Sequence, residues 1–326
     1  MVFTKPNWKT ILKLCGPIFF IFLVLRVVDP AAAAEAIKSL KPEMAIVSFL
    51  VFILVNGTIA FRWWVICRRL KMAVPYSKVF PVYYISWFLS LIPMAAISPI
   101  AKLAFFKDEG KPVGITAISI TIDKLFDILG LMLFSLFGIV YFPGSLFKEL
   151  HLWAYFGGIT CLALIALVFG ARLWNVLIRT LRRYSNKKIQ KLGKNFEAEL
   201  SDFWSGFDTR FFSALFGISI LIGLLRSLVL YLLALALNID VSFGLIVACR
   251  ALFGVINVIP ISLSGLGTRE AVLLPALSLS GISKELALAL GFAAFLLTLC
   301  SKFTGILFWL QRPLPLKVIR SMKEKK

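Results

Sequence analysis

Histidine, acidic residues and paired cysteines are scarce in this sequence. It has one histidine among 326 residues, and 16 aspartates and glutamates against 36 lysines and arginines. The five cysteines lie far apart and form no CxxC pair, so they indicate neither a disulfide framework nor a metal site. His151 lies near a polar turn and is interpreted as a solvated surface residue. We therefore predict neither a bound metal nor a cofactor.

Long polar segments are also missing, which leaves no room for a separate soluble catalytic domain. Hydrophobic residues make up 60% of the chain, and its mean hydropathy is +0.91. Soluble domains do not expose that many apolar side chains, so we predict a single integral membrane domain over residues 1–326. The net charge of +20 is assigned to cytosolic loops rather than to nucleic-acid binding.

Apolar runs of helical length follow one another along the chain, which predicts an all-α, multi-pass membrane protein. The first run follows three lysines and is interpreted as an uncleaved transmembrane helix from Leu14 to Val28 rather than a signal peptide. Phe196 to Arg210 is predicted to be an amphipathic helix at the membrane interface. The other predicted spans are residues 44–66, 115–141, 152–169, 211–237 and 286–309.

Basic residues are unevenly distributed between the two sides of the predicted spans. One side contains the N-terminus, residues 62–78, the basic loop 172–194 and the tail 311–326. It has 22 basic residues, whereas the opposite turns have 4. The positive-inside rule then places both termini in the cytoplasm, in a cell (inner) membrane. Arg62-Trp63-Trp64 is interpreted as part of the cytosolic boundary of the second span.

Two segments must enter and leave the membrane from one side if this topology holds. They are residues 79–112, which are broken by Pro93 and Pro99, and residues 243–282, which contain Pro260. Each is therefore predicted to be a helical hairpin, either re-entrant or fully crossing.

The second hairpin contains the most unusual stretch of the chain, from Ile259 to Ala271. A proline, two serines, two glycines and Arg269-Glu270 lie there between two strongly apolar runs. Non-helical backbone at membrane depth is tolerated where protein encloses it or where it lines a wet cavity, and an ionisable pair there indicates a functional site. The alternative is an extramembrane loop in which the glycines form turns and Glu270 complements a helix dipole.

The two hairpins resemble each other. Pro93 is followed nine residues later by Lys102, and Pro260 is followed nine residues later by Arg269. Similar units that enter from opposite faces indicate an inverted-topology repeat, with halves at about residues 1–150 and 195–310. The alternative is chance similarity between apolar segments. A span that contains a lysine follows each hairpin (Lys124 and Lys302).

Ionisable side chains inside or beside the predicted spans include more cations than acids. The cations are Lys102, Lys124, Arg226, Arg250, Arg269 and Lys302, and the acids are Asp123, Asp127 and Glu270. A lone charge in hydrocarbon costs at least ~2.5–3.5 kcal/mol, so this surplus requires water or an anion. Phosphate suits it, because arginine binds phosphate bidentately and lysine binds it as a point charge. We predict that these residues bind a lipid headgroup together with Ser262, Ser264, Gly265 and Gly267. For some of them, snorkelling to the interface is the alternative.

At these residues the chain resembles the flippase-like family that includes the transmembrane part of lysylphosphatidylglycerol synthases. The most specific match runs from Pro260-Ile261-Ser262 through Gly265 and Gly267 to Arg269-Glu270, and the resemblance covers nearly the whole chain. Arg62-Trp63 and Asp123-Lys124-Leu125-Phe126-Asp127 match in type. The chain departs from the family at Lys102 and Lys124, where the family usually has arginine.

The resemblance implies handling or translocation of a lipid rather than aminoacyl transfer, because in the synthases a C-terminal soluble domain performs that transfer. The expected lipid is an aminoacyl phospholipid or a polyprenyl-phosphate conjugate. One alternative is a non-catalytic membrane partner of a lipid synthase or glycosyltransferase that uses the basic loop 172–194 to bind the enzyme or anionic lipid. The other is an intramembrane transferase, for which Ser262 or Ser264 would need a base, and only Glu270 is close in sequence.

Overall fold

The computed structural model describes residues 38, 40–91, 97–141, 209–256 and 268–312. Within these ranges the chain is all-helical, which confirms the predicted fold class. The eight helices in chain order are α1 Pro42–Arg69, α2 Tyr76–Leu89, α3 Ile97–Asp108, α4 Val113–Tyr141, α5 Thr209–Ala236, α6 Phe243–Ile256, α7 Thr268–Ser278 and α8 Lys284–Gln311.

Three of the described helices, α1, α5 and α8, are long and apolar enough to cross a membrane. With 29 residues, α4 is as long, but it contains Asp123, Lys124 and Asp127. These helices confirm the prediction of a polytopic membrane protein. The predicted spans 14–28 and 152–169, the basic loop 172–194 and nearly all of the amphipathic helix 196–210 lie outside the described residues.

Both predicted hairpins contain two short helices. In the first, α2 ends at Leu89 and α3 begins at Ile97, and in the second, α6 ends at Ile256 and α7 begins at Thr268. Residues 92–96 of the first hairpin and 257–267 of the second are not described. A helix of 14 residues, such as α2 or α6, is only about 21 Å long, whereas the hydrocarbon core is about 30 Å thick. The choice between re-entrant and fully crossing hairpins stays open.

The two halves of the fold have matching helices. The lengths are 28 residues for both α1 and α5, 14 for both α2 and α6, 12 and 11 for α3 and α7, and 29 and 28 for α4 and α8. The packing matches as well. When each helix is replaced by its counterpart in the other half, every pair of packed helices becomes a pair that also packs. For example, α2 packs on α8 as α6 packs on α4, and α1 packs on its own counterpart α5. This pattern supports an internal repeat. The opposite orientation of its halves in the membrane stays a prediction.

Helix α8 approaches α2 closely at Gly305. A Cβ atom at Gly305 would overlap the carbonyl oxygen of Tyr84 and lie 2.6 Å from the Cβ of Phe88. Small residues commonly allow such close packing between membrane helices.

We expect Gly305→Ala to destabilise the protein by about 1–3 kcal/mol, because the crossing between α8 and α2 must open to admit a methyl group. Gly217→Ala is the matched control, since a Cβ at that helical position meets nothing within 4 Å and alanine is the better helix former. Thermal unfolding of both purified variants measures the effect. Equal melting temperatures for the two variants would contradict the close crossing.

Candidate functional site

A cavity of about 450 Å³ lies between the helices, close to the middle of their length. Seven of the eight described helices contribute residues to its wall. Asp127 and Thr298, which both line it, are each the fifteenth residue of a helix, in helices of 29 and 28 residues. The cavity therefore lies near the middle of these two long helices.

Cations dominate the polar part of the wall. Among the described lining residues, four are positively charged and only one, Asp127, is negatively charged. The four cations come from four different helices and are Lys124 of α4, Arg226 of α5, Arg250 of α6 and Arg269 of α7. The structure therefore brings together five of the residues predicted for the headgroup site.

The carboxylate of Asp127 is shared by several cations. Its Oδ1 atom lies 3.4 Å from Nη1 of Arg226 and 3.5 Å from Nη2 of Arg62, and its Oδ2 atom lies 3.7 Å from Nζ of Lys124. Arg62 is also paired with Asp123 at 2.9 Å, so Asp127 is shared mainly by the two lining cations Arg226 and Lys124.

Arg62 and Asp123 form a buried ion pair behind the cavity. Nε of Arg62 donates to Oδ1 of Asp123 at 2.9 Å, and Nη2 donates to the Asp123 carbonyl oxygen at 3.1 Å. Nη1 donates to Oγ of Ser219 at 2.9 Å, which ties α1 and α4 to α5. Both charged residues are almost fully buried, at 1% and 3% exposure. The pair fixes the part of α4 from which Lys124 and Asp127 project.

The interpretation of Arg62-Trp63-Trp64 as a cytosolic boundary is wrong for Arg62 and Trp63, which are 1% and 0% exposed. The physical reason is that the guanidinium finds a carboxylate and a hydroxyl inside the protein. At this end of α1, Arg68 and Arg69 are the exposed basic residues. The excess of basic residues on the predicted cytosolic side is reduced by one and remains large.

Arg269 lies in the first turn of α7 and reaches across to α8. Its Nη2 atom donates to Oγ1 of Thr298 at 3.1 Å, and the Thr298 hydroxyl donates in turn to the carbonyl oxygen of Ala294 at 2.7 Å. The hydroxyl is thereby oriented as an acceptor for the guanidinium, which holds Arg269 at the cavity wall.

Lys102 and Lys302, also predicted for the headgroup site, lie outside the described lining of the cavity. Both are buried and packed on aromatic rings. Nζ of Lys102 lies 4.2 Å from the ring centroid of Trp63 and 5.1 Å from that of Tyr83. Nζ of Lys302 lies 4.8 Å from the ring centroid of Trp87, which itself lines the cavity. These cation–π contacts stabilise buried ammonium groups, and a role in headgroup binding stays a prediction for both lysines.

Four further candidates, Ser262, Ser264, Gly265 and Gly267, lie outside the described residues. Glu270 lies in the first turn of α7, beside Arg269. The predicted site did not include Arg62, Ser219, Trp87 or Thr298. For Arg62, a charge within an otherwise apolar span was an available signal. A single serine, threonine or tryptophan in an apolar helix offers no comparable signal.

The fold and the cavity define a multi-pass helical membrane protein with a cavity whose described charged lining residues are mostly cationic. The family model for the lysylphosphatidylglycerol synthase TM region matches residues 10–304, so the chain belongs to that family. It is also similar to the UPF0104 membrane protein MJ1595 of Methanocaldococcus jannaschii, with 23% identity over 309 residues that cover 89% of this chain and 90% of the relative. No solved structure gives a significant match. Family membership links the protein to lipid metabolism in the membrane.

Proposed function

We propose that the protein translocates a lipid with a phosphate-bearing headgroup, and that the headgroup passes through the cationic cavity. The observation that carries this proposal is the wall itself, whose described residues include four cations from four helices and one carboxylate. Arginine binds phosphate through a planar fork and lysine binds it as a point charge. The volume of about 450 Å³ is in the range of small-molecule sites.

The remainder of the wall suits the apolar part of a lipid. Phe52 of α1, Ile128 of α4, Val229 of α5 and Leu297 of α8 line the same cavity as the cations. A site that combines charged and apolar surface fits an amphipathic ligand, whose chain can remain in contact with hydrocarbon while its headgroup is held inside.

The paired halves of the fold suggest how such a lipid would move. In transporters built from repeats, substrate sites lie near the midplane between the repeats, and interrupted helices contribute to them. Here Arg250 and Arg269 come from the two short helices of the second hairpin, and the long helices α4, α5 and α8 supply the rest of the polar wall. Rocking of one half against the other would expose the cavity to each leaflet in turn.

The test is transport by the purified protein alone in liposomes. We expect it to accelerate the transbilayer movement of fluorescent phosphatidylglycerol relative to protein-free vesicles, measured by quenching of the label in the outer leaflet. Arg226→Gln removes a cavity cation and is expected to slow transport by about tenfold, the effect of roughly 1.4 kcal/mol. Arg68→Gln, the same change at an exposed position of α1, is the control and should leave transport unchanged.

Two outcomes would count against translocation through the cavity. Lipid binding without movement would favour a non-catalytic partner of a lipid synthase or glycosyltransferase that docks through the basic loop 172–194. Equal effects of Arg226→Gln and Arg68→Gln would separate any transport from the cavity.

A further inference from the structure

A second, smaller cavity adjoins the cationic one. The residues that line both cavities are Asp127, Leu131, Arg226 and Arg250. The other lining residues of the small cavity all come from α4 and α5 and are Gly130, Phe134, Ser219, Ile222 and Gly223. The small cavity is therefore an extension of the main one towards the crossing of α4 and α5. Its volume of about 30 Å³ is that of one water molecule in the liquid, which is too small for an acyl chain.

The extension is narrow because α4 and α5 approach each other closely there. A Cβ atom at Gly130 would lie 3.1 Å from the Cβ of Ser219, and a Cβ atom at Gly223 would overlap the ring of Phe134. The ion pair of Asp127 and Arg226 bridges the same two helices at the main cavity. At the other end of the extension, a phenyl ring over a glycine closes the crossing. Side-chain rotamers change faster than packed helices shift, so movement of the ring can open this end.

The closed end of the extension faces the lipid around the protein. Leu133 and Phe137, which flank Phe134 on the surface of α4, are exposed, and so is Leu224, the neighbour of Gly223 on α5. The ring of Phe134 therefore lies between the cavity extension and an apolar outer surface.

The matching crossing in the other half, between α1 and α8, is closed differently. Exchange of the halves pairs Gly223 with Asn56, each the fifteenth residue of its helix. It pairs Gly130 with Ser301, each the eighteenth. Where α4 and α5 have these two glycines, Nδ2 of Asn56 donates to Oγ of Ser301 at 2.9 Å. The hydroxyl of Tyr83 also donates to Oδ1 of Asn56, at 3.3 Å. At this level, buried hydrogen bonds hold α1 against α8, whereas a movable ring separates the extension from the lipid beside α4 and α5.

A phospholipid whose headgroup occupies the main cavity needs an exit for its chains. The volume of about 450 Å³ is in the range of small-molecule sites, and two acyl chains extend beyond such a site. We propose that the crossing of α4 and α5 is a lateral portal through which an acyl chain of the bound lipid reaches the bilayer, with the ring of Phe134 as its gate. This inference rests on the proposed function and adds the route of the acyl chain.

Photolabelling from the chain locates that route. The probe is phosphatidylglycerol with a diazirine in the middle of one acyl chain, incorporated into vesicles that contain the purified full chain. We expect crosslinks at Phe134 and Ile222 that decrease when unlabelled phosphatidylglycerol is added in moderate excess. Crosslinks at Leu136, which is exposed on the same helix, report the surrounding lipid and should not respond. Competed crosslinks confined to the region of Asn56 and Gly305 would overturn the portal, because the chain would then leave between α1 and α8.

Variants of Phe134 test the gate. The substrates are two phosphatidylglycerols with the same fluorescent label at the end of one acyl chain, which is straight in one lipid and methyl-branched in the other. Phe134→Ala widens the gate and should speed transport of the branched lipid by about tenfold relative to the straight one. Phe134→Trp narrows it and should shift the ratio in the opposite direction. Leu136→Ala is the matched control and should keep the ratio of the unmutated protein.

The ratio of the two rates is informative because a loss of stability or of headgroup binding lowers both rates together. An unchanged ratio in both Phe134 variants would overturn the gate and leave translocation standing. Absence of transport of either lipid by the unmutated protein would overturn the proposed function and the portal with it.

Discussion

Arg269→Ala is expected to abolish lipid transport while the protein inserts into the membrane at its normal level. The side chain projects from the first turn of α7 into the cavity and is oriented by Thr298, whose own hydrogen is donated to Ala294. Alanine removes one of the four cations that line the cavity, and with it the planar fork that would hold a phosphate. Insertion should be unaffected, because α7 is short and the long spans are unchanged.

Arg269→Lys distinguishes a binding role from simple anchoring. Lysine keeps the charge but replaces a planar fork with a point charge, so transport should be rescued only in part. The measurement is the rate of transport by the unmutated protein, Arg269→Lys and Arg269→Ala at equal membrane abundance. If Arg269 were an interfacial anchor, lysine would replace it fully and alanine would cost little. Indistinguishable rates for all three proteins would end the claim that Arg269 binds the headgroup.

The second large effect is expected on stability, at the buried pair of Arg62 and Asp123. Removing one partner of a buried ion pair leaves the other charge uncompensated and typically costs about 3–5 kcal/mol. Arg62→Met and Asp123→Val should therefore each lower the melting temperature and the amount of folded protein in the membrane.

The double variant should recover much of that loss, because apolar replacements leave no buried charge behind. The other partners of Arg62 keep their contacts: Ser219 donates to the Leu215 carbonyl oxygen, and Asp127 retains Arg226 and Lys124. Thermal unfolding of the two single variants and the double variant forms a double-mutant cycle. A double variant whose loss equals the sum of the two single losses would show that the pair is not coupled.

The helices were predictable because their signals are local. The predicted span 44–66 became α1 at Pro42–Arg69, and the prediction for 286–309 became α8 at Lys284–Gln311. The ends moved outward because polar residues such as Glu43 and Arg68 can extend a helix beyond the apolar run. The breaks predicted at Pro93 and Pro260, where proline removes a helical hydrogen bond, lie outside the described residues.

The composition of the cavity was predictable in part. Arg226, Arg250, Arg269, Lys124 and Asp127 stood out as charges in apolar surroundings, and the structure places them on one wall. The sequence alone could not show that Lys102 and Lys302 lie outside the described lining of the cavity. Both are charges in apolar surroundings, as the lining cations are. Their packing on Trp63, Tyr83 and Trp87 is a tertiary contact. The pairing of Arg62 with Asp123 joins residues 61 positions apart, and a single sequence contains no signal for such a contact.

Photolabelling can show whether a lipid phosphate enters the cavity. The probe is a phosphate lipid with a diazirine beside its headgroup, incorporated into vesicles that contain the purified protein. We expect crosslinks near Asp127 of α4, Arg226 of α5 and Thr298 of α8, with competition by the unlabelled lipid. Crosslinks confined to the outward face of α1, where Ile46 and Leu50 are 60% and 58% exposed, would show that lipid only surrounds the protein and would contradict its entry into the cavity.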